Sequence, residues 1–434
     1  QINFYQAIVQ GIGNDGGLLV PNFDFQKLDL NKLVQLNYVD LATEVISTFV
    51  PEDGKELIHQ ACLNAYGKGL FPEIVVPVKK AGDVYVAELF HGQTAAFKDM
   101  ALSLLPHLMT LSLKQLKEDR EVMILAATSG DTGKAALEGF KDVEGTCIKV
   151  FYPLDGVSAI QQQQMVSQEG KNVKVVGIHG NFDDAQSAVK VAFGDKMLKE
   201  VSDQHHVFLS SANSINVGRL IPQIVYYFHS YFELVRSKEI EMGDQVNFCV
   251  PSGNFGNITA GLFGKKMGLP VKRFIAANNR NDIFYQYLQT GKYDPRPSIA
   301  TIANAMDVGD PSNFARVLDL YNGSHAAISA EISGTTYTDE QIRESVKETW
   351  KEHHYLLDPH GACGYRALVE GLKEGETGVF LETAHPAKFL ETVESIIGES
   401  VEIPAKLQEF MKGEKKSLQM TKEFADFKSY LLSL

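Results

Sequence analysis

Apolar residues recur along this chain in two rhythms, and each rhythm predicts its own element. Short, nearly unbroken apolar runs at 122–126, 148–152, 173–178, 246–250, 272–277 and 378–381 predict buried strands. Between them, residues 133–142, 183–200, 257–268 and 339–353 carry apolar positions at helical spacing. That alternation predicts an α/β fold of parallel sheets with crossover helices, which takes ligands at the carboxyl ends of its strands.

The ends read differently. Helical stretches near 31–49 and 53–67, with a turn at Asn14-Asp15-Gly16-Gly17, predict a mainly helical extension over residues 1–80. Residues 280–315 are irregular and rich in turn formers, as in an insertion or lid. From 407 to 434, charged and apolar residues alternate at helical spacing and predict one packed amphipathic helix.

With 434 residues, 44% hydrophobic and 22% charged, the chain is an ordinary globular sequence with room for two or three domains. Its formal charge of −13 argues against nucleic acid or an anionic membrane as the main partner. No apolar run approaches the roughly 20 residues of a membrane span. Cys62, Cys147, Cys249 and Cys363 are widely separated, so neither a disulfide framework nor a metal site is expected, and free thiols in the cytoplasm are. A first residue of Gln suggests missing N-terminal residues.

Two glycine loops follow strands. In VMILAATSGDTGKAALEGF (122–140), Thr128 to Gly133 join a strand to a helix, so converging amides and a helix N-terminus suit a carboxylate or phosphate. A nucleotide P-loop is excluded, because it needs Gly where Thr128 stands and Ser or Thr where Ala135 stands. VNFCVPSGNFGNITAGLF (246–263) repeats the arrangement. Each loop admits two readings, a tight strand-to-helix turn or an anion nest.

Lys98 is the odd residue. In AELFHGQTAAFKDMALSLL (87–105) it stands at the entrance of an apolar helix. Apolar surroundings favour the neutral amine, the form that makes an imine with an aldehyde such as pyridoxal phosphate. The plainer reading is a lysine snorkelling at a helix start.

HGQTAAFKDMA resembles the lysine motif of the threonine synthase family, fold-type II pyridoxal-phosphate enzymes related to tryptophan synthase β and cysteine synthase. GNDGGLLVP, TSGDTG, QQQQM, SSANSINVGRL, VPSGNFGN, DPHGACG and ETAHPAKF resemble further blocks in the family's order, and together they are similar to the longer bacterial and fungal subgroup. The resemblance implies two parallel-sheet α/β domains of the tryptophan synthase β-like type. A large cofactor domain is expected over 81–100 and 220–434 and a smaller one over 101–219, with the extension 1–80 packed on the large domain.

Carried across, Lys98 is the implied imine lysine and proton carrier. Gly253, Asn254, Phe255, Gly256 and Asn257 are the implied cradle of the cofactor phosphate, and Thr383 is a candidate neutral partner for the pyridine nitrogen. Ser129, Gly130, Asp131 and Thr132 correspond to the loop that meets the substrate carboxylate and the O3′ side of the cofactor. An ionised Asp131 would repel that carboxylate, so it is expected to face a donor or be protonated. Gln93 and Lys134 depart from the family pattern.

The implied reaction converts O-phospho-L-homoserine and water to L-threonine and phosphate. It needs a second anion site, for which Asn213, Ser214, Asn216 and Arg219 are candidates, with a structural arginine at a helix start as the other reading. One of Gln161–Gln164 is a further candidate contact. Asp358-Pro359 is explained as a helix cap, and His91 and His385 are read as wall residues. The alternatives are a dehydratase or lyase of the same cofactor class and a non-catalytic ligand-binding relative. A monomer or weak homodimer without metal is expected.

Overall fold

The computed structural model describes residues 1–67, 69–413 and 416–433. Its strands are β1 (Val78–Ala81), β2 (Val84–Glu88), β3 (Glu121–Ala127), β4 (Thr146–Pro153), β5 (Val173–His179), β6 (Val207–Ser211), β7 (Val246–Pro251), β8 (Val271–Asn278), β9 (Ile332–Thr336), β10 (Thr377–Glu382) and β11 (Leu418–Thr421). They form a six-stranded sheet in the order β1-β2-β10-β7-β8-β9 and a five-stranded sheet in the order β11-β5-β4-β3-β6. Every pairing is parallel except β1 with β2.

The α/β class expected from the alternation is what forms, and all six expected strands are present. The other five strands are short or carry polar residues, as in VKKA for β1 and ISGTT for β9. The tail is a correction to the sequence reading. In place of one helix over 407–434, Ala405–Phe410 and Phe424–Leu432 are helical, and β11 between them pairs in parallel with β5. Glu414, Lys415 and Leu434, within that expected helix, lie outside the described residues, as does Lys68 of the extension.

Side-chain caps account for two other corrections. The helix expected over 183–200 is two, Phe182–Gly194 and Lys196–Gln204, because Asp195 turns its carboxylate to the Leu198 amide and starts the second. Likewise Asn37 caps Tyr38–Ser47 and splits the stretch 31–49. The segment 280–315 includes a helix, Ile283–Thr290, before its irregular part.

One helix organises the core. Ile221–Arg236 is buried on nearly every face, as an all-round apolar helix must be. It begins just after Arg219, and its Tyr227 hydroxyl donates to the Asn257 carbonyl at 2.7 Å. The N-terminal helix Phe4–Gln10 is held by Ser210 and Asn216, which donate to the carbonyls of Val9 (2.7 Å) and Ile8 (3.0 Å). The carboxyl ends of β3, β7 and β10 thereby face a common cleft.

Candidate active site

Lys98 is presented by a loop fastened to the end of β10. The Phe97 amide donates to the Thr383 carbonyl (2.7 Å) and the His385 amide to the Ala95 carbonyl (3.0 Å). Thr94 closes the loop by donating its amide and hydroxyl to the Asp99 carboxylate, at 2.8 and 2.6 Å. Gly92 permits this closure, because a Cβ there would stand 2.5 Å from the Asp99 Cβ. The Lys98 ammonium lies 4.4 Å from the Phe97 ring centre. Burial and the nearby charge of Arg219 lower its pKa to about 7 against the opposing pull of Asp131. The neutral amine is thus accessible near neutral pH.

The loop after β7 is an anion nest. Phe255 adopts left-handed backbone (φ 64°) at the start of the helix Gly256–Lys266. Asn257 braces the turn, accepting from the Ser252 hydroxyl (2.5 Å) and donating to the Pro251 carbonyl (2.9 Å). Gly253 cannot carry a side chain, since a Cβ would meet the Ala305 carbonyl oxygen at 2.7 Å. Among the described residues, the amides of Gly253, Asn254 and Phe255 have no protein acceptor. The tight-turn reading holds for the backbone, and it leaves those donors free for an anion.

The facing wall comes from the five-stranded sheet. Ser129, Thr132, Asn213, Ser214 and Arg219 line the same cleft as Lys98, residues 253–257, His360 and Thr383. Gly130, Asp131 and Asn216 do not line it. Asn216 spends its side chain on the Ile8 and Ser211 carbonyls (3.0 Å each) and the Gly218 amide (2.9 Å). Asn213 lines the cleft while its amide group exchanges hydrogen bonds with the Ala127 backbone. Asp131 faces donors, as expected: Gln161 at 3.0 Å and the Lys388 ammonium at 2.8 Å. Burial alone would raise its pKa, but Lys388 holds it below the ordinary carboxylate value. Gly130, at φ 135°, admits Gln161, whose side chain would lie 2.5 Å from any Cβ.

Arg219 is a buried charge in the cleft without an ionic partner among the described residues. It is 1% exposed, one guanidinium nitrogen donates to the Ala212 carbonyl, and its Nε has no partner. No carboxylate pairs with it among the described residues, and burial lowers its pKa to about 10, so it remains a cation at neutral pH. A buried unpaired cation beside a lysine is poised for an anionic ligand.

Sequence reasoning missed several neighbours. His360, noticed only within a capping motif, lines the cleft; its Nδ1 lies 2.6 Å from Asp358, and its Nε2 accepts from the Ala305 amide at 3.0 Å. Arg316 holds the Ser214-Ile215 turn through both carbonyls, at 2.8 and 2.7 Å. Lys388 sits in the quoted ETAHPAKF block but carried no assigned role. His91 and His385 line a separate cleft behind the lysine loop, as wall residues do. Gln93 and Lys134 share another, where Lys134 pairs with Glu138 at 3.1 Å. Nothing here explains Gln93.

The donor set fits pyridoxal phosphate: free nest amides for the phosphate, a lysine with an accessible neutral form, and the Thr383 hydroxyl on the same wall. Similarity to known proteins points the same way. Residues 76–383 match the family described as pyridoxal-phosphate dependent enzyme, residues 1–66 the threonine synthase N terminus, and residues 361–431 the threonine synthase C-terminal family. The chain is 38% identical to threonine synthase of Haemophilus influenzae, covering 100% of this chain and 97% of that protein. It is 39% identical to that of Escherichia coli over 94% and 91%. The crystal structure of threonine synthase from Escherichia coli superimposes with a TM-score of 0.89 at 36% identity, over 100% of this chain and 97% of that one. The PLP-bound threonine synthase of Brucella melitensis gives 0.87 at 33%, over 100% and 96%. Taken with the geometry of the cleft, these similarities establish that the chain belongs to the threonine synthase family of pyridoxal-phosphate-dependent enzymes.

Proposed function

We propose that this chain converts O-phospho-L-homoserine and water to L-threonine and inorganic phosphate. The observation that carries the substrate assignment is Arg219, a buried cation without a carboxylate partner in the cleft of Lys98, in addition to the nest at 253–257. One anion site serves the cofactor phosphate, and the second suits a substrate that brings its own.

The amides of Gly253 to Asn257 and the helix N-terminus behind them hold the cofactor phosphate, with Thr383 as the neutral partner of the ring nitrogen. When bound, pyridoxal phosphate supplies the electron sink that acidifies carbon-bound hydrogens of the substrate amino acid. Lys98 holds the cofactor, and its neutral amine removes the proton at Cα and carries protons among Cα, Cβ and Cγ. Ser129 and Thr132 orient the substrate carboxylate, on a loop fixed by Gly130 and by Asp131 through Gln161 and Lys388. Arg219, Ser214 and Asn213 take the γ-phosphate as it leaves, and Asn216 shapes their turn.

We infer a large domain around the six-stranded sheet (81–100 and 220–434), which also takes in the start of β1 at Val78, a smaller domain (101–219), and an extension (1–80). Because β11 pairs with β5, the tail from Ala405 crosses back to the smaller domain. A monomer or weak homodimer, to be checked by sedimentation, and a cytoplasmic setting complete the reading. Four unbridged cysteines support the latter.

The deciding experiment incubates the protein with O-phospho-L-homoserine and follows threonine and phosphate together. Equimolar release, reduced by about 10²-fold or more in Lys98→Ala, is expected. Deamination to a 2-oxo acid would instead identify a dehydratase, and equal turnover by Lys98→Ala would overturn the role of Lys98.

A further inference from the structure

Lys388 is fully buried, yet it lies outside the cleft lining. It sits in the turn Pro386–Phe389, just beyond Thr383. Its ammonium reaches two other segments, donating to the Thr94 carbonyl of the lysine loop at 2.9 Å and pairing with Asp131 of the loop after β3 at 2.8 Å. Gln161 donates to the same carboxylate oxygen of Asp131, and its own oxygen accepts from Asn304 at 2.9 Å. The Ser158 hydroxyl donates to the Lys388 carbonyl at 2.7 Å. One buried cation therefore ties the wall bearing Lys98 to the wall bearing Ser129 and Thr132. An apolar pair of similar volume would often hold a core at least as well as a buried ion pair, so the charge itself calls for a role.

We propose that Lys388 is a positioning residue of the site, whose ammonium clamps the Lys98 loop to the Ser129–Thr132 loop by pairing with the buried Asp131 carboxylate. Asp131 favours the protonated form of Lys98, whereas Arg219 disfavours it. Asp99, Lys134, His360 and His385 are the other titratable groups that feel Lys388 or Asp131. With Lys388 in place, Asp131 stays ionised and favours the proton on Lys98. Without it, burial drives Asp131 toward its neutral acid, and Lys98 gives up its proton at lower pH.

The assignment rests on Lys98 being the lysine that takes up the cofactor, which Lys98→Ala checks separately, since that variant forms no visible absorbance band. The test strips the cofactor from the full chain and follows re-formation of the band with added pyridoxal phosphate across pH. The midpoint of the rate reports the proton on Lys98. In Lys388→Met the midpoint falls by about one unit, an uptake about tenfold faster on the acid side of the profile. In Asp131→Asn it falls likewise, and the double variant Lys388→Met/Asp131→Asn moves it no further than Asp131→Asn alone. A merely structural lysine would leave the midpoint in place. An unmoved or raised midpoint in Lys388→Met, or a double variant displaced by the sum of the two single shifts, overturns the proposal. If Lys388→Met does not fold, Asp131→Asn decides alone, and an unmoved midpoint there overturns it.

Discussion

The rings of Phe151 and Phe427 lie 4.3 Å apart, centre to centre, and join β4 to the last helix, Phe424–Leu432. Phe427 is 1% exposed and packs in a cluster with Val176, Ile178 and Leu431, while Lys428 pairs with Asp195 at 2.7 Å. Phe427→Ala should cost about 3–5 kcal/mol, the price of a large buried aromatic. The loss should be local. Hydrogen exchange should accelerate at Val173–His179 and leave Val271–Asn278 unchanged, and equal acceleration in both sheets would refute a tail that serves only the five-stranded one.

That same tail marks the limit of what was legible. Fully buried parallel strands are apolar on both faces, so Val122 to Ala126 announces itself without knowledge of its partners. Leu418–Thr421 is mostly exposed and becomes a strand only because the edge of β5 offers a ladder to it, which no local window reveals. The site divides likewise. Lys98 and the nest at 253–257 were legible because local chemistry, an out-of-place amine and glycines beside a strand end, defines them. Lys388 and Gln161 acquire their roles from Asp131, remote from both in sequence. Asn216, read as a phosphate ligand, turns instead to the N-terminal helix.

Gly361 and Glu382 leave no space between them. A Cβ on Gly361 would lie 1.6 Å from the Glu382 Oε2, which is buried without a partner, while Oε1 accepts from the Asp358 amide at 2.7 Å. Gly361→Ala should therefore cost at least about 1–3 kcal/mol in denaturant unfolding. Glu382→Gln should cost less than about 1 kcal/mol, because burial and the adjacent Asp358 already raise this carboxyl far above its ordinary pKa and keep it neutral. A large loss in Glu382→Gln would mean that the carboxyl is ionised.

Lys98 gives the cofactor-stripped chain a definite pH dependence. Its folded pKa is about 7 against an ordinary 10.5, so between these values the unfolded chain binds the extra proton. Stability contributed at this position is therefore lowest below pH 7, where a buried cation must be tolerated. It rises with pH through that window and levels off near 10.5. Urea unfolding of the parent and of Lys98→Met should show the variant's advantage shrinking as pH rises from 7 to 10. An advantage independent of pH would mean that Lys98 is not desolvated.

Arg219 separates stability from binding most cleanly. A cation buried without a carboxylate carries a desolvation cost of several kcal/mol. The hydrogen bond it makes to the Ala212 carbonyl returns only about 1.5–3 kcal/mol of that. In the holoenzyme, Arg219→Met should accordingly melt no lower than the parent while turning over O-phospho-L-homoserine poorly. With the nest filled by the cofactor's phosphate, free inorganic phosphate should raise the melting temperature of the parent by mass action at the second anion site. In Arg219→Met that increment should vanish. Equal stabilisation of both proteins by phosphate would place the leaving-group site elsewhere, and a variant that melts well below the parent would make Arg219 a structural cation after all.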